Sequence, residues 1–268
     1  MTTLDLDAYF GRIRWGDPTP PTFATLAGVL AAHMARIPFE NLDVLLGRPI
    51  RLDFDALQDK LVTRRRGGYC FEHASLLAAV LEQLGFAVTR HTARVLLHMT
   101  RAESPRTHMF LVVATPDGPF VADPGFGMLA PRVPVPFAAD VEVRSGLETH
   151  WLARVGGEWL LRARRGTKET DCWVSPADRD NLVDFELGNH YTSTHPDAAM
   201  TRRMMLRALT ADGRVGVMNR DVTVWCGDDV EAFQLADRAA LRALLAARFG
   251  FDLPDVERLL VPTIPEWR

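Results

Sequence analysis

Cysteine is scarce in this chain. Its 268 residues include 3, an odd number without the spacing of a disulfide framework, which points to a reducing compartment. Apolar runs are short: none approaches the roughly 18 residues that a membrane span requires. Met1 to Phe10 is polar and lacks the apolar centre of a secretory signal. Excess positive charge is missing too. Lys and Arg number 31 against 34 Asp and Glu, a formal net charge of −3, which argues against a nucleic-acid or membrane-surface role. The one basic run, Arg64-Arg65-Arg66, reads either as a helix end complementing its dipole or as an anion contact. Internal repeats and low-complexity segments are absent. Cys70 and His73 stand at C-x2-H spacing, but no second pair follows, so no metal is expected. Gly125-Phe126-Gly127 lacks the third glycine and the following helix of a dinucleotide fingerprint. These absences leave a soluble, cytoplasmic protein whose 47% hydrophobic content fills one large domain or two to three small ones.

Against that background, Arg65-Arg66-Gly67-Gly68-Tyr69-Cys70-Phe71-Glu72-His73 stands out. Apolar residues recur at Phe71, Ala74, Leu77/Ala78, Leu81 and Leu84, and Gly85 supplies a stop, so a helix starts at Cys70. Unpaired N–H groups and the positive end of the helix dipole favour a thiolate there. Cys172 and Cys226 read as structural or incidental.

A nucleophilic thiol needs a base, and the base needs a group to orient it. His108 opens a strand-like run to Val113, and Thr115-Pro116-Asp117-Gly118 signals a type I turn. A second strand, Phe120-Val121-Ala122-Asp123, follows. With Pro116 and Asp117 in the turn, Phe110 falls opposite Asp123, and His108 becomes its diagonal neighbour on one sheet face. Cys70, His108 and Asp123 thus form a candidate triad of nucleophile, base and orienting carboxylate.

The first third of the chain reads as helical. Asp5 or Asp7 caps a short helix, Thr22 caps a second that Pro38 ends, and Asp53 starts a third that runs to Gly67. From Phe86 the period shifts toward two, with β-rich runs near 86–98, 108–114, 119–123, 149–155 and 158–164. Pro131, Pro134 and Pro136 mark a rigid extended connection. Beyond Pro196 the pattern predicts a helical patch at 197–204, a hairpin of 205–210 and 214–219 around Asp212-Gly213, a strand at 221–225, and a helix from about 229 to Gly250. The expected fold class is α+β, divided as a helical bundle (1–85), an antiparallel barrel (86–196) and a C-terminal α/β lid (197–268). A cysteine at a helix start followed by histidine and aspartate on successive strands is the arrangement of thiol hydrolases and transglutaminases.

Four segments carry a more specific likeness. Ile37-Pro38-Phe39-Glu40-Asn41-Leu42, Arg66-Gly67-Gly68-Tyr69-Cys70-Phe71-Glu72, Asp123-Pro124-Gly125-Phe126-Gly127 and Asn189-His190-Tyr191-Thr192-Ser193-Thr194-His195-Pro196 occur in order, and together the chain resembles the arylamine N-acetyltransferases. The resemblance implies a bundle, a barrel and a lid joined through an interdomain helix. It implies acetyl-CoA as donor co-substrate, an aromatic amine or hydrazine as acceptor, and a ping-pong reaction through Cys70 of the kind that serves xenobiotic metabolism. By the same likeness Phe39, Tyr69 and Phe126 line the acceptor pocket, while Gly125, Phe126, Gly127 and Thr194 lie near CoA. Neither nucleic acid nor membrane is an expected partner; a monomer or homodimer is. Ala74 and Met128 depart from the family pattern and bear on pocket shape and on how CoA lies against the loop. The rival readings are an amide synthase with the same triad acting on larger acyl substrates, a cysteine protease or transglutaminase, and a non-catalytic module with an unreactive Cys70.

Overall fold

The computed structural model describes residues 4–178, 180–210, 213–227 and 229–267. Helix α1 (Leu6–Ile13) is capped by Asp5, whose carboxylate accepts the Ala8 N–H at 2.9 Å. Helix α2 (Phe23–Arg36) is capped by Thr22 and ends just before the Ile37-Pro38 pair, where proline disfavours helical backbone in the residue that precedes it. A two-residue strand, β1 (Phe39–Glu40), and a short helix, α3 (Leu42–Leu45), follow. Helix α4 (Phe54–Leu57) widens into a π-helical turn over Gln58–Thr63. The continuous helix expected up to Gly67 therefore stops four residues short. Helix α5 (Cys70–Gln83) buries Phe71, Ala74, Leu76, Leu77, Val80 and Leu81 completely. It is enclosed on nearly all sides. Each such leucine or phenylalanine stabilises the fold by roughly 1.5–3 kcal/mol, so Cys70 begins one of the most firmly held elements.

The β strands that follow are β2 (Ala87–Val95), β3 (Arg106–Thr115), β4 (Gly118–Ala122), β5 (Val135–Pro136), β6 (Val143–Ser145), β7 (Glu148–Val155), β8 (Glu158–Arg165) and β9 (Lys168–Ser175). They form one antiparallel sheet in the order β5-β4-β3-β2-β9-β8-β7-β6. An Ala139–Leu152 bridge and the Asp140 N–H donating to the Leu152 carbonyl at 2.7 Å nearly close it into a barrel. Thr115 pairs with Gly118 and Leu111 with Ala122, the register that the Pro116-Asp117 turn predicts. Strand β9 escapes sequence reading because it opens on Lys168-Glu169-Thr170-Asp171. Two of these pair with β8: Asp171 with Arg162 at 2.7 Å and Glu169 with Arg164 at 3.5 Å. One hydrophobic core runs continuously from α1, α2 and α5 into the barrel.

Helix α6 (Leu182–Thr194) and the short α7 (Ala199–Arg202) lead to a second sheet. Its strands are β10 (Met205–Thr210), β11 (Gly213–Met218), β12 (Asp221–Cys226) and β13 (Asp229–Gln234), all antiparallel in the order β1-β10-β11-β12-β13. The expected hairpin is present, although Asp212 in its turn lies outside the described residues. The helix expected from about 229 is corrected: 229–234 is an exposed edge strand, and α8 (Arg238–Leu244) starts only after Asp237, whose carboxylate caps the Ala240 N–H at 2.8 Å. A second core fills the space between this sheet and the C-terminal helical turns, and Leu42 and Leu45 of α3 belong to it. Among the described residues no helix is long and apolar enough to cross a membrane.

Candidate active site

The two glycines before Cys70 serve close packing. A Cβ on Gly68 would meet Glu72 Oε2 at 2.7 Å, and one on Gly67 would meet the Pro38 carbonyl and the Glu40 side chain. The Gly68 carbonyl accepts the Glu40 N–H at 2.8 Å, so this turn lies flush against β1. At the start of α5 the Glu72 side chain reaches back to cap the helix, its Oε2 accepting the Tyr69 N–H at 3.1 Å. Beneath the cap lies a buried ion network: Lys60 binds Glu72 at 2.7 Å and Asp43 at 2.8 Å, while Arg66 binds Glu40 at 2.6 Å and Asp43 at 3.3 Å. Burial pushes the Glu72 carboxyl up, opposed by Lys60. Burial also works against the Asp43 carboxylate, but the Lys60 and Arg66 charges and hydrogen bonds outweigh it and hold the carboxyl well below its usual range. Breaking such a pair leaves an uncompensated buried charge, at a cost of about 3–5 kcal/mol. Arg64 instead pairs with Asp59 at 2.7 Å. The basic run is thus divided between a surface pair and the support of the helix start.

Cys70, His108 and Asp123 come together. The Cys70 thiol, 3% exposed, lies 3.6 Å from the Thr107 carbonyl and within hydrogen-bonding reach of the His108 ring. His108 Nε2 is 2.9 Å from Asp123 Oδ2, which leaves Nδ1 for the thiol. Both partners are buried. Burial opposes a charged His108, but the Asp123 charge and hydrogen bond, joined by Cys70, outweigh it and push the imidazolium pKa up to about 10. Trp173 is a member of the site that sequence reading misses: its Nε1–H donates to Asp123 Oδ2 at 2.9 Å, and its ring stacks on Phe110 at 4.2 Å. The Gly125 N–H donates to Asp123 Oδ1 at 3.3 Å. Asp123 therefore accepts three hydrogen bonds, and His108 is held in one orientation. Such an assembly can present a thiolate beside an imidazolium and attack an acyl carbon.

The remaining expected residues separate. Phe39 and Phe126 share the core cluster with Cys70, and Phe126 meets the His108 ring edge-on at 5.0 Å. Tyr69 is fully buried, and its hydroxyl donates to the Asn189 side chain, tying α5 to α6. Gly125 packs on the nucleophile's backbone. Gly127, at φ +63°, begins the turn that runs to Leu129. Thr194 is exposed, with its hydroxyl donating to the His190 carbonyl at 2.6 Å. It lines a cavity of about 630 Å³ together with Thr107, Tyr191 and His195, a cavity that Gly125, Phe126 and Gly127 do not line. A Cβ on Gly125 would sit 2.5 Å from Cys70 Cα, a backbone atom that cannot move aside. Gly125→Ala is therefore expected to destabilise the protein by about 1–3 kcal/mol. Thermal denaturation checks this; an unchanged Tm would show that the loop has room.

Behind α5, a chain of neutral groups fixes its own polarity. The Pro38 carbonyl can only accept, so His73 Nε2–H donates to it at 3.1 Å. His73 Nδ1 then accepts from His33 Nε2–H at 2.8 Å, and His33 Nδ1 accepts from the Tyr9 hydroxyl at 3.0 Å. His73 is thereby turned away from any ligand role beside Cys70.

Comparison with known proteins identifies the relatives of this chain. Residues 22–258 match the profile of the N-acetyltransferase family. Arylamine N-acetyltransferase from Mycobacterium tuberculosis is 38% identical over 259 residues, covering 94% of this chain and 91% of that protein. The Escherichia coli enzyme of the same name is 32% identical, covering 96% and 92%. The solved M. tuberculosis structure superposes with a TM-score of 0.89 at 35% identity, covering 94% of this chain and 96% of that one. The Mycobacterium marinum arylamine N-acetyltransferase, solved in complex with CoA, gives 0.89 at 34% identity, covering 94% of each. By sequence, by fold and by length, the chain belongs to the arylamine N-acetyltransferase family.

Proposed function

We propose that this protein transfers an acetyl group from acetyl-CoA through a Cys70 thioester to the nitrogen of an aromatic amine or hydrazine. The observation that carries the reading is the buried Cys70–His108–Asp123 alignment at the start of α5, in a chain of a family whose M. marinum member is solved with CoA. His108 and Cys70 rest as an imidazolium–thiolate pair. The thiolate adds to the thioester carbonyl, the C–S bond to CoA breaks, and His108 returns its proton to the departing CoA sulfur. An arylamine, neutral at pH 7, then attacks the acyl-enzyme; His108 takes the ammonium proton as Cys70 leaves. The Cys70 N–H, in the first turn of α5, has no intrahelical partner and is placed to meet the oxyanion. Because the two thiols are matched leaving groups, the acyl-enzyme stays reactive.

Phe39 and Phe126 serve as the apolar wall for the aryl ring, and the Gly125–Gly127 segment and Thr194 as CoA contacts. The division into a bundle (1–85), a barrel (86–196) and a C-terminal unit (197–268) belongs to the same reading, as does a cytoplasmic setting, consistent with three free cysteines. Acetyl-CoA alone is expected to add one acetyl mass to the protein and release free CoA, as read by intact-mass analysis. An unmodified wild type, or an equal adduct on Cys70→Ala, would refute the mechanism.

A further inference from the structure

Helix α6 leaves Leu182, Val183 and Leu187 exposed and buries Phe185, Gly188, Asn189 and Thr192. A helix that buries so little apolar surface is located by close approach and hydrogen bonds rather than by a hydrophobic stripe. Gly188 supplies the approach. A Cβ there would meet Phe71 Cζ of α5 at 2.8 Å and the Arg106 carbonyl of β3 at 3.0 Å, so α6 lies directly on both elements. Asn189 supplies the hydrogen bonds, and its side chain is used at both ends. Nδ2–H donates to the Ile50 carbonyl at 2.9 Å, and Oδ1 accepts the Tyr69 hydroxyl. The Asn189 backbone carbonyl lies 3.3 Å from that hydroxyl and accepts from Ser193 Oγ–H at 2.8 Å. A carboxamide offers a separate acceptor and donor at one site, and for a residue 8% exposed a lost partner is not replaced from bulk solvent.

Tyr69 is fixed without this bond. Its ring is fully buried, its N–H is held by Glu72 at 3.1 Å, and Gly68 beside it bridges to Phe39 of β1. Tyr69 is therefore the post, and α6 is the member set against it. Helical spacing puts Leu187, Tyr191 and Thr194 on the face of α6 opposite Asn189, and these three line the cavity of about 630 Å³ described above. Thr107, which lines the same cavity, places its carbonyl 3.6 Å from Cys70 Sγ. One end of the cavity is thus beside the nucleophile, and one wall of it is carried by α6. Because Tyr69 is also the residue that precedes Cys70, the bond from Asn189 refers that wall to the sulfur across a single peptide unit.

We propose that Asn189 is a positioning residue for the acyl donor: its brace to Tyr69 and Ile50 sets the α6 wall at the depth from which a long thioester, seated against Tyr191 and Thr194, reaches Cys70. This rests on the acetyl-transfer reading, with Thr194 as a CoA contact. The test is acylation of Cys70 in the absence of amine, with two donors compared. Asn189→Ala is expected to lower kcat/KM for acetyl-CoA about 10- to 100-fold, the scale of two buried hydrogen bonds lost together. Acylation by S-acetyl-N-acetylcysteamine, a thioester too short to span the cavity, should stay close to the wild-type rate. Tyr69→Phe keeps the buried ring and deletes one of the two bonds. It should move the ratio of the two donors in the same direction by about 3- to 10-fold, and it carries the test should Asn189→Ala not fold. A ratio unchanged in both variants overturns the proposal and leaves the acetyl-transfer reading standing, whether both rates hold or both fall, because the brace would then serve the fold or the nucleophile alone. A wild type that neither donor acylates removes that reading and the proposal together.

Discussion

Asp123→Asn is expected to slow acetylation of Cys70 by about three to four orders of magnitude, the scale seen when the acid of a catalytic triad is neutralised, while far-UV circular dichroism stays that of the wild type. Asp123 Oδ2 accepts from both His108 Nε2–H and Trp173 Nε1–H, and Oδ1 accepts from the Gly125 N–H. An amide must turn its NH2 toward one side or the other. Turned toward Oδ2's position, it opposes the indole N–H and forces His108 to carry its proton on Nδ1, facing Cys70, where it can no longer accept one. Turned toward Gly125, it preserves the tautomer but removes the negative charge. In either case the imidazolium, held at about pKa 10 by that charge, loses its main support and the thiolate its counterion. The direct measurement is iodoacetamide alkylation of Cys70 against pH. At each pH the variant should react more slowly than the wild type. A variant profile that overlays the wild type would show that the carboxylate is dispensable.

The second large effect concerns stability in acid. His33 and His73 are fully buried and neutral; burial, then neighbouring positive charge, pushes His33 well below 6.5 and His73 down to about 3. Below pH 6.5 the unfolded chain takes up protons that the folded one refuses, so stability present above 6.5 is lost as pH falls, by about 1.4 kcal/mol per pH unit for each histidine. For His73 alone this reaches of order 5 kcal/mol by pH 3, against a typical total of about 5–15 kcal/mol. Glu72, held above its ordinary value by burial, opposes the trend weakly near its own titration. His108 has the reverse sign: raised to about 10, it contributes fully below pH 6.5, and that contribution is lost as pH rises toward 10. Stability is therefore expected to peak near neutrality. Urea midpoints measured from pH 7 to pH 4 should fall steeply; a flat profile would exclude the histidine chain as the acid-labile element.

How much of this could be read from the sequence depended on how local the signal was. The start of α5 was legible from Gly67-Gly68 and the apolar period after Cys70, and the β3–β4 register from Pro116-Asp117, because in both cases a few adjacent residues determine the geometry. Trp173 was not legible. It lies 50 residues from Asp123, on a strand whose polar first half is stabilised by ion pairs with its neighbour rather than by alternation. Helix α6 shows why periodicity fails elsewhere. Leu182, Val183 and Leu187 are exposed while Gly188, Asn189 and Thr192 are buried, so its hydrophobic pattern points the wrong way, and only the likeness of 189–196 to a known family marked it. The Glu40–Arg66 and Lys60–Glu72 pairs are charged residues in a core, where composition predicts none. The turn before Cys70 is tightly packed, with no room for a Cβ at Gly67 or Gly68.

Strand β1 has a mechanical consequence out of proportion to its two residues. Phe39 bridges to Gly68 in the turn before Cys70, Glu40 receives Arg66, and the same backbone ladders onto Leu206 and Arg207 of β10. The second sheet is thereby riveted to the nucleophile's own support, and its rim cannot lift without unzipping that ladder. A load on the second sheet is therefore borne by the same two peptide units that support the helix start.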